Sequence, residues 1–331
     1  MTQPYDVIGL GNAMVDVLAQ CGDDMLHDQG IQKGVMQLID MDRAVDLYAA
    51  IGPAREISGG SAANTLAVLT SLGGTGAYIG KVRDDQLGQI FAHDLRAQGC
   101  DYLGPWAAAD SAAETGRCIV LVTPDGERSM NTYLGASEHL AAQDLTDVDF
   151  AAAKWLYLEG YRFDGPNSFA AFDQAIAATR AGGGRIALTL SDPFCVGRHH
   201  AAFLALAQDH VDLLFCNRAE LCALYVSDDL PHALMRAGAD VDMVVCTDAE
   251  NGVHIAHNGA VQHIPTHSVD IIDATGAGDA FAGAFLWGLC AGHTLDLCAR
   301  MGNLAAGHII TQIGARAMVD LRQLFRDHGL I

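Results

Sequence analysis

The run Asp273-Ala-Thr-Gly-Ala-Gly-Asp279-Ala-Phe-Ala-Gly283 sets a carboxylate among small residues. The segment before it, Ser268-Val-Asp-Ile-Ile272, reads as a strand, and an apolar helix is expected from Ala280 to about Cys290. Gly276, Ala277 and Gly278 then fall at a helix's first turn, where backbone N–H groups lack partners and the dipole favours negative charge. Small side chains let a phosphate reach those amides. A carboxylate beside such a site, here Asp279, suits the removal of a proton from a hydroxyl that attacks phosphorus. The plainer alternative is a helix capped by Asp273 or Thr275, with Asp279 in its favoured first turn.

A second run, Gly59-Gly60-Ser61-Ala-Ala-Asn64, opens a helix that reaches about Leu72 and breaks at Gly73-Gly74. Ala77-Tyr-Ile-Gly80 reads as a strand, and Val82-Arg-Asp-Asp-Gln-Leu-Gly88 follows it. Exposed amides with short Ser and Asn side chains suit the gripping of vicinal hydroxyls, although Ser61 and Asn64 also suit helix capping. Together, and in this order, the two segments resemble the two signatures of the PfkB (ribokinase-like) family of sugar and nucleoside kinases. The resemblance runs from about Tyr5 to Leu324. It implies Asp279 as the general base, with the amides of Gly276, Ala277 and Gly278 as an anion hole. It also assigns Asp273 and Thr275 to a monovalent-cation (K⁺) site that not every member uses.

These residues need a scaffold. Val7-Ile-Gly-Leu10, Trp155-Leu-Tyr-Leu158, Ile186-Ala-Leu-Thr-Leu190, Leu213-Leu-Phe-Cys216 and Met243-Val-Val-Cys246 read as buried parallel strands. Helical stretches lie between them, from Ser168 to Ala181, Ala201 to Ala207 and Leu230 to Ala237. Alternation of this kind predicts a three-layer α/β/α, Rossmann-like fold. Asp16 to Asp40 and Gly116 to Tyr133 break the rhythm with short alternating runs, expected to be antiparallel strands with a turn at Pro124-Asp-Gly126. In the family such strands form a β-sheet lid over the sugar. The reading is therefore one kinase domain over 1–331, with a discontinuous lid at about 12–40 and 105–135 that closes on the acceptor and excludes water.

Gly9-Leu-Gly11-Asn12-Ala-Met-Val-Asp16 ends the first strand. Met14 stands where a dinucleotide fingerprint needs its third glycine, which argues against a Rossmann oxidoreductase. No Walker A sequence is present, so a P-loop fold is excluded. Asn12 and Asp16 read as partners of sugar hydroxyls, joined in the family by Gly60, Ser61 and Asn64. Asn217-Arg-Ala-Glu220 is alone only a capping box. In this position it matches the family's Asn-x-x-Glu motif, which orders Mg²⁺ waters and phosphate. Thr247-Asp-Ala-Glu-Asn-Gly252 matches the nucleotide loop with Ala249 in place of a glycine, leaving Thr247 and Gly252 as ATP contacts. Asn303, Ala305-Ala-Gly307 and Gly314-Ala-Arg316 fall where the family encloses adenine.

Lys33-Gly-Val-Met-Gln-Leu-Ile-Asp40, Glu127-Arg-Ser-Met-Asn-Thr-Tyr-Leu-Gly-Ala-Ser137 and Thr189-Leu-Ser-Asp-Pro-Phe194 resemble the adenosine-kinase-like branch. There Gln37 and an apolar lid strand face the base, and Val35, Met36, Cys118, Tyr133 and Tyr161 are candidates to line its slot. The implied reaction is ATP plus adenosine giving ADP plus AMP, with ATP and Mg²⁺ as cofactors. A free-furanose kinase and a non-catalytic nucleoside sensor are the alternatives.

Composition bounds the rest. Of 331 residues, 50% are apolar and 18% charged, which fits a globular chain. The net charge of −21 opposes nucleic-acid binding and leaves Arg83, Arg117, Arg128 and Arg316 as cations near motifs. Nine cysteines without a C-x-x-C pair are expected as reduced thiols in the cytoplasm. No apolar stretch suggests a membrane span, and no signal peptide is expected before Tyr5. His199-His200 lacks partners at ligand spacing. The family includes both monomers and homodimers, and either is compatible with this chain.

Overall fold

The apolar runs assigned to buried strands lie side by side in a nine-stranded sheet. Its order is Ala260–Ile264, Val253–His257, Met243–Thr247, Leu213–Asn217, Arg185–Thr189, Ala153–Glu159, Tyr5–Leu10, Gly76–Ile79 and Cys100–Tyr102. The computed structural model describes residues 4–331. From Met243–Thr247 to Cys100–Tyr102 every pairing is parallel. The Val253–His257 and Ala260–Ile264 strands extend the sheet antiparallel. Continuous apolar strands require cover on both faces, because a parallel sheet buries both. One face packs on a cluster including Phe163, Phe172 and Phe203, beneath the helices Ser168–Ala181 and His200–His210. The other packs on Leu66, Phe281 and Phe285 from the helices Ser61–Ser71 and Ala277–Cys290. This is the ribokinase-like α/β/α arrangement.

A parallel sheet brings the C-terminal ends of its strands to one edge, the usual seat of ligands in open α/β folds. Glu159, Thr189, Asn217 and Thr247 occupy four such ends, and Asn12 follows a fifth; all line one large cleft.

A second, five-stranded sheet roofs that cleft, in the order Met36–Leu38, Arg128–Tyr133, Gly116–Val122, Met14–Gln20 and Ala54–Gly59. The hairpin joining Gly116–Val122 to Arg128–Tyr133 is antiparallel, as its turn residues predict. The Met36–Leu38 and Met14–Gln20 strands instead pair parallel with their neighbours in this hairpin. Strand Ala54–Gly59 lies outside both segments assigned to the lid. Its sequence, Ala-Arg-Glu-Ile-Ser-Gly, carries little apolar alternation, and its pairing with Met14–Gln20 is a tertiary choice.

Strand alternation divides the lid's side chains. Val17, Ala19, Ile119 and Leu121 face outward, into a cluster with Leu26 and Leu47 of the helices Asp23–Asp28 and Met41–Ala50. Met14, Cys118, Val120 and Met130 form the inner cluster and line the cleft.

The segment 268–272 is not a strand. Its Val and Ile residues have β-propensity but meet no sheet edge, and Val269, Ile271 and Ile272 are exposed. The amides of Ile272 and Asp273 bond instead to the Ile310 carbonyl, at 2.7 and 3.1 Å. All nine cysteines are free thiols. Among the described residues no helix is long and apolar enough to cross a membrane.

Candidate active site

Asp279 sits in the first turn of the helix Ala277–Cys290, whose N-cap is Gly276 at φ 77°. A side chain at Gly276 would meet the Cβ of Ala315 at 2.5 Å and is excluded by backbone conformation as well. Gly60, at φ 89°, caps the helix Ser61–Ser71 and passes so close to Asn12 that a Cβ would lie 2.4 Å from its carbonyl oxygen. These two helix starts face each other. Ser61 Oγ donates to Asp279 Oδ1 at 2.6 Å, and Asn64 Nδ2 donates to Asp279 Oδ2 at 2.9 Å. Residues assigned from the sequence to sugar hydroxyls thus also hold the carboxylate. Removal from water raises the Asp279 pKa, opposed by these two hydrogen bonds and by Arg316. The result is a carboxylate with more basic character than an exposed one, fixed in direction and open to the cleft.

Among the described residues, no hydrogen bond engages the amides of Gly276, Gly278 or Asp279. The Ala277 amide differs, turning to the Ala274 carbonyl at 3.3 Å. The donors left open at this helix start are therefore those of Gly276, Gly278 and Asp279 rather than Ala277, because the turn preceding the helix consumes that one.

Asp16 points into the cleft from the strand Met14–Gln20. Loss of water pushes its pKa up to about 7, against the pull of Arg316 and Arg128. No described group hydrogen-bonds its carboxylate, which leaves both oxygens for hydroxyl donors. Asn12 is buried and lines the same end, but its Oδ1 already accepts from Arg162 Nη1 at 3.0 Å and Ser137 Oγ at 3.2 Å. Only its amide NH₂ remains for a ligand.

The sequence motifs give Glu159 no role. It is buried, and accepts the amides of Asn12 at 3.2 Å and Ala62 at 2.8 Å, tying the first strand's end to the second helix start. Burial pushes its pKa up to about 7. A glutamate closing the apolar strand Ala153–Glu159 is the signal that marks it.

At the far end, Asn217 and Glu220 form a reciprocal capping box. Asn217 Oδ1 accepts the Glu220 amide, while Glu220 accepts the Asn217 amide and side chain at 2.9 and 2.7 Å. Burial pushes the Glu220 pKa up to about 7, and Asp192 and Asp279 add to it. Among the described residues no group of three His, Cys, Asp or Glu side chains could hold a metal directly. Glu220 with Asn217 fits a Mg²⁺ that keeps its waters and takes further oxygens from phosphate, the usual habit of that ion. Thr247 and Gly252 line the cleft beside them. Ala249 adopts φ 46°, the left-handed conformation that a glycine takes without strain. Asn303 lines the cleft with Ala306 and Gly307, its Nδ2 donating to the Pro265 carbonyl at 3.2 Å.

Four assignments change. Gln37 does not face the cleft: in a short strand a shift of one residue reverses the face, and here Met36 and Leu38 point inward. Gln37 Nε2 donates to Asn131 Oδ1 at 2.7 Å, on the lid's other side. Of the residues offered for a base slot, Met36, Cys118 and Tyr161 line the cleft, while Val35 and Tyr133 do not. Asp273, assigned with Thr275 to a monovalent cation, is ion-paired with Arg128. Its carboxylate also accepts the amides of Thr275 at 3.0 Å and Gly314 at 2.7 Å, so the cation at this position is a guanidinium. Arg316, placed near adenine from sequence, instead reaches Asn64, Gln98 and Ser58 at the acceptor end.

The cleft has a volume of about 1220 Å³ and is lined by Asp16, Glu220, Thr247 and Asp279, with Asp279 close enough to act electrostatically on both Asp16 and Glu220. It can hold a hydroxylated acceptor and a nucleotide in line across one carboxylate.

A model described as pfkB family carbohydrate kinase matches residues 38–322. Among solved structures, the probable sugar kinase protein from Rhizobium etli CFN 42 superposes with a TM-score of 0.93 at 43% identity, covering 100% of each chain. The adenosine kinase from Sinorhizobium meliloti superposes with a TM-score of 0.92 at 44% identity, covering 98% of this chain and 99% of its own. A fructokinase of Klebsiella pneumoniae is 29% identical over 260 residues, covering 76% of this chain and 83% of its own.

Proposed function

Since the chain belongs to the pfkB family of carbohydrate kinases, we propose that it transfers the γ-phosphoryl group of ATP to the 5′-hydroxyl of a ribonucleoside, with adenosine the first candidate. The observation that carries this reading is the inner face of the lid. Met14, Met36, Cys118, Val120 and Met130 present thioether, thiol and aliphatic groups to the cleft that Asp16 also lines. A free sugar exposes hydroxyls on most sides and gains little from such a roof. A nucleoside offers a flat apolar base there, and polarizable methionines pack well on aromatic rings. The likeness to the Sinorhizobium adenosine kinase over nearly the whole chain supports the same choice.

In this reading Asp16 accepts the two ribose hydroxyls, while Ser61 and Asn64 hold the acceptor end of Asp279. Asp279 takes the proton of the 5′-hydroxyl as its oxygen bonds to phosphorus and the bond to the ADP oxygen breaks. The first-turn amides of Gly276 and Gly278 stabilise charge on the transferred group. Asn217 and Glu220 would hold a Mg²⁺ through its waters, and that ion would supply neutralisation of phosphate charge. Thr247, Gly252 and Asn303 are the nucleotide contacts. Lid closure over the acceptor keeps water from ATP.

Phosphorylation of a free furanose is the second reading. The likeness to the probable sugar kinase from Rhizobium etli and to the Klebsiella fructokinase favours it. ADP release with ATP and Mg²⁺ across adenosine, inosine, guanosine, cytidine, ribose and fructose separates the two. Preference for a nucleoside supports the base roof. Brisk turnover of a free sugar with none of any nucleoside refutes it.

A further inference from the structure

Arg316 follows the turn at Gly314, far in sequence from both helix starts, and its guanidinium is spread over three elements. Nε donates to Asn64 Oδ1 at 2.8 Å, Nη1 to Gln98 Oε1 at 2.6 Å, and Nη2 to Ser58 Oγ at 3.4 Å. The bond to Asn64 matters most. An asparagine amide has a donor end and an acceptor end, whereas a guanidinium only donates and a carboxylate only accepts. With Arg316 on one side and Asp279 on the other, Asn64 has one satisfied orientation: Oδ1 to Arg316 and Nδ2 to Asp279. The flipped amide would set NH₂ against the guanidinium and oxygen against the carboxylate.

We propose that Arg316 is a positioning residue of phosphoryl transfer: by fixing the orientation of the Asn64 amide, it keeps a hydrogen-bond donor on Asp279 and holds that carboxylate aimed at the acceptor hydroxyl. The inference rests on the reading of Asp279 as the base, but not on the identity of the acceptor. Charge supports the geometry. Arg316 faces Asp16 from the strand Met14–Gln20, Asp94 from the helix Gln86–Ala97, Cys100 from the strand Cys100–Tyr102, and Asp279. Asp279 in turn faces Asp16, Glu159 and Glu220 as like charges, with the phenols of Tyr157 and Tyr161 nearby. Among the groups that shift Asp279, Arg316 is the one cation. Removing it leaves the base among carboxylates, and its protonation moves to higher pH.

The test compares wild type, Arg316→Met, Arg316→Lys and Asp279→Asn, each with the acceptor that wild type turns over best, across the pH range where the fold persists. Arg316→Met is expected to lower kcat by about 10- to 100-fold, the scale of a misaimed catalytic group. The acid limb of kcat/KM should move to higher pH, KM for ATP should hold, and added guanidinium ion should restore part of the rate. Arg316→Lys keeps the charge but loses the planar fork, so the acid limb should stay while kcat falls. If Arg316→Met keeps both the wild-type kcat and the wild-type acid limb and only melts earlier, the residue is structural and the inference is overturned. Should Arg316→Met not fold, an Arg316→Lys enzyme with wild-type kcat overturns it equally. Asp279→Asn separates the two levels: retained turnover there removes the base assignment itself, whereas its loss beside an unperturbed Arg316→Met removes only the role of Arg316.

Discussion

Ser61→Ala removes a single oxygen and tests what the site does with it. Ser61 Oγ lies 2.6 Å from Asp279 Oδ1, a length typical of a charge-assisted O–H···O⁻ bond. A hydrogen bond to a charged group contributes about 1.5–3 kcal/mol. The bond exists for the ionised carboxylate and is weakened when Asp279 is protonated, so most of its energy appears as a lowered pKa. Taking the low end, about 1.4 kcal/mol corresponds to one pH unit. Burial raises the Asp279 pKa while Ser61, Asn64 and Arg316 restrain it. The variant should therefore carry an acid limb of kcat/KM about one pH unit higher. Below that limb turnover drops about tenfold at fixed pH, and on the alkaline plateau it approaches wild type. The assay is coupled ADP release at subsaturating acceptor, run across pH for both proteins. A competing role, in which Ser61 grips a sugar hydroxyl, predicts a raised acceptor KM at every pH with the limb unmoved. That second pattern would refute the reasoning.

Other consequences can be measured directly. Asp16, Glu159 and Glu220 have pKa values pushed up to about 7 by burial, so the stability they contribute is present below their unfolded values and is lost as pH rises toward 7. His254 and His308, held low by burial, act in the opposite sense. The three carboxylates outweigh them, so the melting temperature should fall between about pH 5 and pH 8, and a scanning-fluorimetry curve that rises over this range contradicts the burial of these groups. Ala249→Gly relieves a left-handed alanine at φ 46° and should stabilise by up to about 1 kcal/mol, the strain relieved outweighing the added unfolded-chain freedom. A fall in its melting temperature would show that the loop is not strained there. The lid's outer face is covered by the helices Asp23–Asp28 and Met41–Ala50, which bury Val17, Ala19, Ile119 and Leu121 away from a second copy. Light scattering should therefore report a monomer, and a stable dimer in solution would refute this reasoning.

Much of this architecture was legible in the chain. Runs such as Leu213 to Cys216 and Met243 to Cys246 announce buried parallel strands because both faces of such a sheet are apolar. The glycines around Asp279 and at Gly60 mark helix starts through local backbone freedom, which depends on the nearest residues alone. Those local rules determined the α/β/α fold, the two opposed helix N-termini and the carboxylate between them. Other features depend on residues distant in sequence, and only the folded chain decided them. Strand Ala54–Gly59 joins the lid because Met14–Gln20 offers it an edge, not because its own pattern is strand-like. Gln37 turns away from the cleft because register, set by pairing with Arg128–Tyr133, differs by one residue from the expected face. Asp273 holds Arg128, and Arg316 reaches Asn64 across 252 positions of chain, because long cationic side chains find their carboxylates and amides only after the loops have packed. Backbone conformation is a short-range property, and hence readable in sequence; the direction in which a side chain's charge is spent is a property of the packed interior.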